Sequence, residues 1–558
     1  MELLDIITIA LFMTGIIVSG LAFAKKGKNM KSFFAAGGSV PWSICGLSLF
    51  FGFFSAGTFV VWGSIAYSLG WVSVTIQWTM SIAGFVVGLC IASRWNKTGV
   101  LTVAEYINKR LGVNVQKIYT YLFLFISLFT TGAFLYPVAR IVEVSTGFPL
   151  VTCVLLLGGI CILYVSVGGF WAVVVTDVLQ FAILTTAVLI VVPLAFDKID
   201  GVTNFVQSAP DTFFNLLNGE YTLGFIIAFG IYNAIFLGGN WAYVQRYTSV
   251  KTSKDARKTG FLFGSLYVIS PVLWMLPPMI YRIYNGNLTG LESEGAYLLM
   301  CKEVLPAGLL GMMLGGMIFA TASSMNAILN ISSGVFTNDI FKRLRPKSTD
   351  RTLIRVARIW TVGFGLLAIV VALLIPLMGG IVHVVISVAA LTGVPLYLPV
   401  IWSLFSKRQT GRSVVTATLL SLCVNAFFKF LTPVFWDFSL SRAHEMILGV
   451  SFPALCMLFF EIRAVFRKSI SDMYTEYITH ERTANMTKAS IPELTEVEKS
   501  DNRFSVKVIK TGLTASGILV CMLGGIASDG RIIVMSAGAL LVLIGFLISK
   551  KKRHHSSL

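Results

Sequence analysis

Residues 47–64 read LSLFFGFFSAGTFVVWGS. The run is apolar enough for a membrane, yet Gly52, Ser55, Ala56, Gly57 and Thr58 interrupt it. A second interruption stands at 231–247, IYNAIFLGGNWAYVQRY, where Gly238 and Gly239 precede Asn240. Glycine weakens a helix, and inside a membrane the freed carbonyls need new partners. A bound cation can be such a partner. A third polar stretch, FATASSMNAILNISSGVFTNDIFKR at 319–343, is read as a further interruption. There Ser323, Asn326 and Asn330 share one helix face. Ser323 and Ser324 point about 100° apart, so both reach one ion only where another segment faces them across a cavity.

The surrounding chain fits this reading. Its 558 residues are 56% hydrophobic and only 13% charged, against about a quarter charged in a soluble domain. Long apolar runs recur from end to end, which makes this an all-α polytopic membrane protein. At about 20 residues per span, candidates fall near 5–24, 41–66, 71–93, 118–141, 149–167, 171–195, 222–246, 257–284, 306–335, 354–378, 380–405, 413–432, 444–465, 508–526 and 531–549. That is about 15 spans.

The formal charge of +18 would point to nucleic acid in a soluble protein, but here the basic residues sit in short loops. Alternate turns carry Lys25, Lys26 and Lys28, then Arg94, Lys97, Lys109 and Arg110, then Arg246 to Lys258, Arg343 to Arg351, and Lys407 to Arg412. The positive-inside rule then places the N-terminus outside and the C-terminus in the cytoplasm. The first span follows Glu2 and Asp5 and precedes its lysines, the reverse of a signal peptide. Eight cysteines show neither zinc spacing nor a disulfide framework. Cys45, Cys90, Cys153 and Cys161 read as small buried apolar residues.

The first two interruptions lie five spans apart. Broken segments in corresponding positions predict an inverted-repeat transporter with its site at mid-membrane. Small residues also permit close helix packing, and serines also make interhelical hydrogen bonds of about 0.6 kcal/mol. Spacing alone leaves those readings open.

Four stretches together resemble the sodium:solute symporter family: residues 33–71, the run GGFWAVVVTDVLQ at 168–180, VQRYTSVKTSKDARKTG at 244–260, and 319–343. The resemblance implies the inverted five-plus-five fold of the leucine-transporter type, with one N-terminal and several C-terminal extra helices. It also implies sodium as the coupling ion, held by the carbonyls of Phe51, Phe54 and Ala320 and the hydroxyls of Ser323 and Ser324. Asp177, with Asn326, marks a possible second sodium or coupling position, although Asn326 and Ala327 stand where some relatives have serines. Thr58, Gln77, Asn233 and Phe236 match positions that line the solute pocket in sugar-carrying relatives. Gln77 replaces their glutamate, Thr58 their glutamine, and Phe236 a gating tyrosine. The tenth core span lacks a glutamine but has His383, which reads as a packed residue more readily than as a ligand.

The expected organisation is an extra helix at 1–32, a ten-helix core at 33–410, accessory helices at 411–465, a cytoplasmic linker at 466–507, and final helices with a basic tail at 508–558. The expected activity is sodium-driven import of a small polar solute across the plasma membrane, a sugar or sugar acid first, with amino acids, carboxylates and vitamins as alternatives. A solute sensor that does not transport is the alternative of another class. No span carries an HExxH, a nucleophile elbow or paired carboxylates, so the chain does not read as an enzyme. The partners expected are the solute and the bilayer, with no nucleic acid and no obligate protein.

Overall fold

The computed structural model describes residues 2–11, 14, 40–100, 102–165, 170–486, 496–527 and 530–550. Among them all regular structure is helical, and the only β pairings are the isolated bridges Val40 with Val250 and Asn218 with Tyr221. In chain order the main helices are α1 (3–11), α2 (Trp42–Phe51), α3 (Thr58–Leu69), α4 (Val72–Lys97), α5 (Val103–Leu111), α6 (Val113–Thr146) and α7 (Leu150–Val165). Then come α8 (Phe170–Lys198), the pair α9 (Leu223–Gly239) and α10 (Trp241–Thr248), α11 (Ser253–Tyr284), α12 (Leu309–Val335) and α13 (Asp350–Leu374). The last are α14 (Ile381–Phe405), α15 (Gly411–Trp436), α16 (Arg442–Phe466), α17 (Asp472–Met486), α18 (Glu496–Ile526) and α19 (Arg531–Lys550).

Among the described residues nine helices are long and apolar enough to cross a membrane, or ten if α9 and α10 form one bent span. Shorter apolar helices, including α2 and α3, stand where other spans were expected. Most of the expected first span lies outside the described residues. The outer faces carry Leu377, Val434, Phe435, Phe466 and Ile532 in exposed positions, a surface suited to lipid rather than water.

Local chemistry starts these helices. Side-chain oxygens of Thr102, Thr222, Asn240, Thr252, Thr349, Thr410 and Ser441 each accept a backbone N–H of the first turn, as N-caps do. One cap comes from another helix. Asp5 of α1, which is buried, accepts the N–H groups of Gly308 at 2.7 Å and Gly311 at 3.0 Å with one oxygen. A carboxylate suits the positive end of α12, and a Cβ at Gly311 would stand 2.2 Å from the Asp5 carbonyl.

Glycines also bring α4 against α11. A Cβ on Gly84 would lie 2.7 Å from Gly264 Cα, and one on Gly260 2.7 Å from Gly88 Cα. Such small-residue faces let membrane helices approach closely. Of the four span cysteines considered above, Cys45, Cys153 and Cys161 are buried, whereas Cys90 is exposed. Within 466–507 the described residues include α17 and the start of α18. Tyr477 of α17 meets Tyr106 of α5 edge-on at 6.0 Å, and the Arg110 guanidinium lies 5.0 Å over Tyr474.

Candidate functional site

The interruption is a true break between α2 and α3, with residues 52–55 outside any helix. Phe54 N–H donates to the Phe51 carbonyl at 2.9 Å. Thr58 donates its hydroxyl to the Phe53 carbonyl at 2.8 Å and accepts the Ser55 N–H at 3.3 Å. Its hydroxyl proton is therefore engaged in the break and is not free for a solute. The rings of Phe51 and Phe54 are buried, and Phe54 packs 4.0 Å from Trp274. Across from the break, Ala56 N–H donates to Thr321 of α12 at 3.4 Å.

The stretch 319–343 does not break. α12 runs unbroken through Val335 and continues through a wide turn at Phe336–Phe341 to Leu344. The reason is visible at Ser324, whose hydroxyl turns back to the Ala320 carbonyl at 3.1 Å. Hydroxyls that bond to the i−4 carbonyl tolerate a helix instead of interrupting it. Ser324 lines the central cavity and Ala320 is buried beside it. The side chains of Ser323 and Asn326 lie outside the described residues. Carbonyls and hydroxyls are hard, uncharged oxygen donors of the kind a sodium ion takes, and the contact of Ala56 with Thr321 brings the α2–α3 break beside α12.

The second interruption bends by 57° between α9 and α10. Its carbonyls find protein partners. Phe236 accepts Asn240 N–H at 2.9 Å, Leu237 accepts the Tyr247 hydroxyl at 3.3 Å, and Gly238 accepts Trp95 Nε1–H at 2.7 Å. The neighbouring Asn96 donates to Tyr247 and Val250 at 3.1 and 2.9 Å. The end of α4 therefore splints both halves of the bend. Here tryptophan and tyrosine fill the role foreseen for a cation. Trp95 was missed from sequence; its only signal was a fully buried type of ring beside Asn96 at the end of a span.

Trp95→Phe keeps an aromatic ring, though a smaller one, and removes the donor. It leaves a buried carbonyl unsatisfied, at a cost of about 1–3 kcal/mol. The expected result is a lower melting temperature and a raised solute KM with kcat less affected, measured by thermal unfolding and uptake kinetics. Unchanged KM would overturn this role.

A cavity of about 230 Å³ lies between these elements, and Thr58, Gln77, Asn233 and Phe236 all line it. Asn233 donates to Thr79 at 2.7 Å and Gln77 to the Ser73 carbonyl at 3.5 Å. Their carbonyl oxygens, Asn233 Oδ1 and Gln77 Oε1, are buried and have no protein partner. Phe236 stands among Tyr232, Phe53, Tyr243 and Tyr397, with ring centroids 5.3 to 6.1 Å away. From α14, Val385, Val388 and Thr392 complete the wall. His383 does not line it; its Nε2 lies 3.3 Å from Lys429.

Polar contacts stand on either side of the α2–α3 break, and of their members Asp177 and Arg246 also line the cavity. On the α2 side, Ser48 donates to Asp177 Oδ2 at 2.6 Å, and Arg246 Nη2 lies 3.9 Å from the same oxygen. Arg246 also donates to the Ala242 carbonyl at 2.6 Å. Asp177 is thus a buried, paired group rather than a solvated one, with side-chain exposures of 2% for Asp177 and 3% for Arg246. On the α3 side, Ser293 and Ser64 share a hydrogen bond at 2.6 Å. Next to them Glu294 accepts the Ile381 N–H at 3.2 Å and the Tyr136 hydroxyl at 3.3 Å. Burial pushes the Glu294 carboxyl above the usual range, against the opposing pull of those two donors.

The model of the sodium:solute symporter family matches residues 33–420. A sodium/glucose cotransporter of Vibrio parahaemolyticus is 27% identical over 471 residues, covering 77% of this chain and 86% of its own. Solute carrier family 5 member 4B of Mus musculus is 25% identical over 474 residues, covering 75% and 71%. A solved Na+-coupled sialic acid symporter, substrate-bound and outward-open, superposes with a TM-score of 0.68 at 19% identity over 83% of this chain and 98% of its own.

Proposed function

The chain belongs to the sodium:solute symporter family, and from that premise we propose that it imports a small uncharged polar solute, a sugar first of all, together with sodium. One observation carries the choice of solute. Gln77 Oε1 and Asn233 Oδ1 are buried acceptors without donors on the wall of the same cavity. A buried acceptor left unmet is costly, and solute hydroxyls meet it. The aromatic wall around Phe236 suits the apolar face of a sugar ring. The sodium/glucose relative from Vibrio parahaemolyticus agrees with this class.

A sugar acid fits less well. Arg246 is the cation among the described lining residues, and it already faces Asp177, Ser48 and the Ala242 carbonyl. An amino acid would bring two charges to a wall whose described residues hold no second ion pair to receive them, and a buried charge needs a partner.

Sodium is assigned to the carbonyls of Phe51, Phe54 and Ala320 and the hydroxyls of Ser323 and Ser324. There it joins the α2–α3 break to α12. We assign no second sodium to Asp177 and Asn326, because the Asp177 carboxylate already holds Ser48 and faces Arg246. In the cycle, the contacts of Ser48, Asp177 and Arg246 open on one side, and those of Ser64, Ser293 and Glu294 on the other. The site is the plasma membrane, with the N-terminus outside. The inward membrane potential contributes about 2.3 kcal/mol per 100 mV to each charge moved.

Uptake of radiolabelled glucose and of glucuronate into proteoliposomes, with and without a sodium gradient, tests the reading. The expected result is glucose accumulation that needs the gradient, and little glucuronate. Asn233→Ala is expected to lower kcat/KM for the sugar about tenfold, the equivalent of one hydrogen bond. Sodium-independent uptake would overturn the coupling, and preferred glucuronate the solute class. Saturable binding without counterflow would make the chain a sensor.

A further inference from the structure

Away from the cavity, α14 meets the accessory helices at a charged cluster. Lys429 of α15 donates to Glu445 of α16 at 2.7 Å and to Ser387 of α14 at 2.9 Å. Ser387 donates to the other Glu445 oxygen at 3.3 Å. One turn before Ser387, His383 Nε2 lies 3.3 Å from the same ammonium. An ammonium only donates, so Nε2 is the acceptor and His383 is neutral, with its proton on Nδ1. Nearby, Asn425 of α15 donates to the carbonyls of Ala390 and Leu391, both at 3.2 Å, in the wide turn Ala389–Gly393 of α14. The cluster therefore fastens α14 to α15 and α16. Ionisable groups within spans are rare and tend to mark function, yet neither the solute wall nor the sodium ligands use these residues.

We propose that His383, Lys429 and Glu445 form a proton-binding site through which pH controls how firmly α15 and α16 hold the cavity-lining helix α14. A proton that binds Nε2 removes the acceptor, so the hydrogen bond from Lys429 breaks. An imidazolium then faces an ammonium, with the Glu445 carboxylate shared between two cations. A small cleft bounded by Leu440 of the loop between α15 and α16, with Phe428 and Leu448, reaches Lys429 and Glu445.

Arg442 of α16, which pairs with Glu220 at 2.9 Å, also faces His383, while Tyr136, Arg140 and Glu143 of α6 group around Glu294. Glu294 caps the first turn of α14 from a loop. Its contribution has the opposite sign. Because burial raises its carboxyl, Glu294 favours the fold more as pH falls. Proton uptake at His383 breaks a native contact and weakens the fold as pH falls.

The test is the melting temperature of the full chain in nanodiscs at pH 7.5 and 5.5. Wild type is expected to lose about 2–4 °C more than His383→Gln on acidification, because glutamine still accepts from Lys429 but does not titrate. Glu294→Gln is expected to enlarge the wild-type loss. Equal pH responses of wild type and His383→Gln would overturn the proposal. If His383→Gln does not fold, ¹⁵N-histidine spectra of wild type and Lys429→Gln decide it. Removal of the cation must move the titration of one histidine, and identical titrations would refute the site.

Discussion

Arg246→Ala is expected to destabilise the protein by about 3–5 kcal/mol, the usual loss when one partner of a buried ion pair is removed. Both side chains are nearly inaccessible, so solvent screening does not discount the figure. The substitution takes away the guanidinium that faces Asp177 and its hydrogen bond to the Ala242 carbonyl. It also loosens the contact between α2, α8 and α10 beside the cavity. The double variant Arg246→Ala/Asp177→Asn is expected to recover a large part of that loss, because no carboxylate is then left without its cation. Steric-trap unfolding in bicelles measures both. A double variant no more stable than the single one would show that the pair does not carry the effect.

Ser323→Ala/Ser324→Ala is expected to abolish sodium-driven accumulation. Two of five proposed oxygens are lost, each worth about 1.5–3 kcal/mol toward a charge. Together they weaken sodium about 100-fold or more. The fold survives, because alanine continues the helix where Ser324 now bonds back to Ala320. Uptake in sodium should fall to its level in potassium, and Ser324→Thr should retain activity because it keeps a hydroxyl. Full sodium stimulation of the double variant would remove α12 from the ion site.

The two glycine-bearing breaks were legible because glycine and polar residues act locally on a helix. Both appear where expected, between α2 and α3 and at Asn240. The third interruption was misread, since a serine can turn its hydroxyl onto its own helix as readily as away from it. Gln77, Asn233 and Phe236 do share a cavity, but Thr58 uses its proton within the break, an arrangement no spacing reveals. The remaining chemistry joins distant spans. Trp95 reaches Gly238, Asp177 faces Arg246, and Lys429 gathers groups from two other helices. Each pairing depends on which helices pack side by side. A single chain does not print that information.

The Asp5 cap on α12 bears on how the molecule is made. Asp5 and the Gly308 N–H it accepts are 303 residues apart in the chain. Asp5 is therefore made long before the helix end that it caps, and the cap cannot form until α12 exists. The first helix cannot take its final seat until α12 has been threaded into the membrane. Assembly is thus a closing operation, in which the earliest segment is the one that settles late.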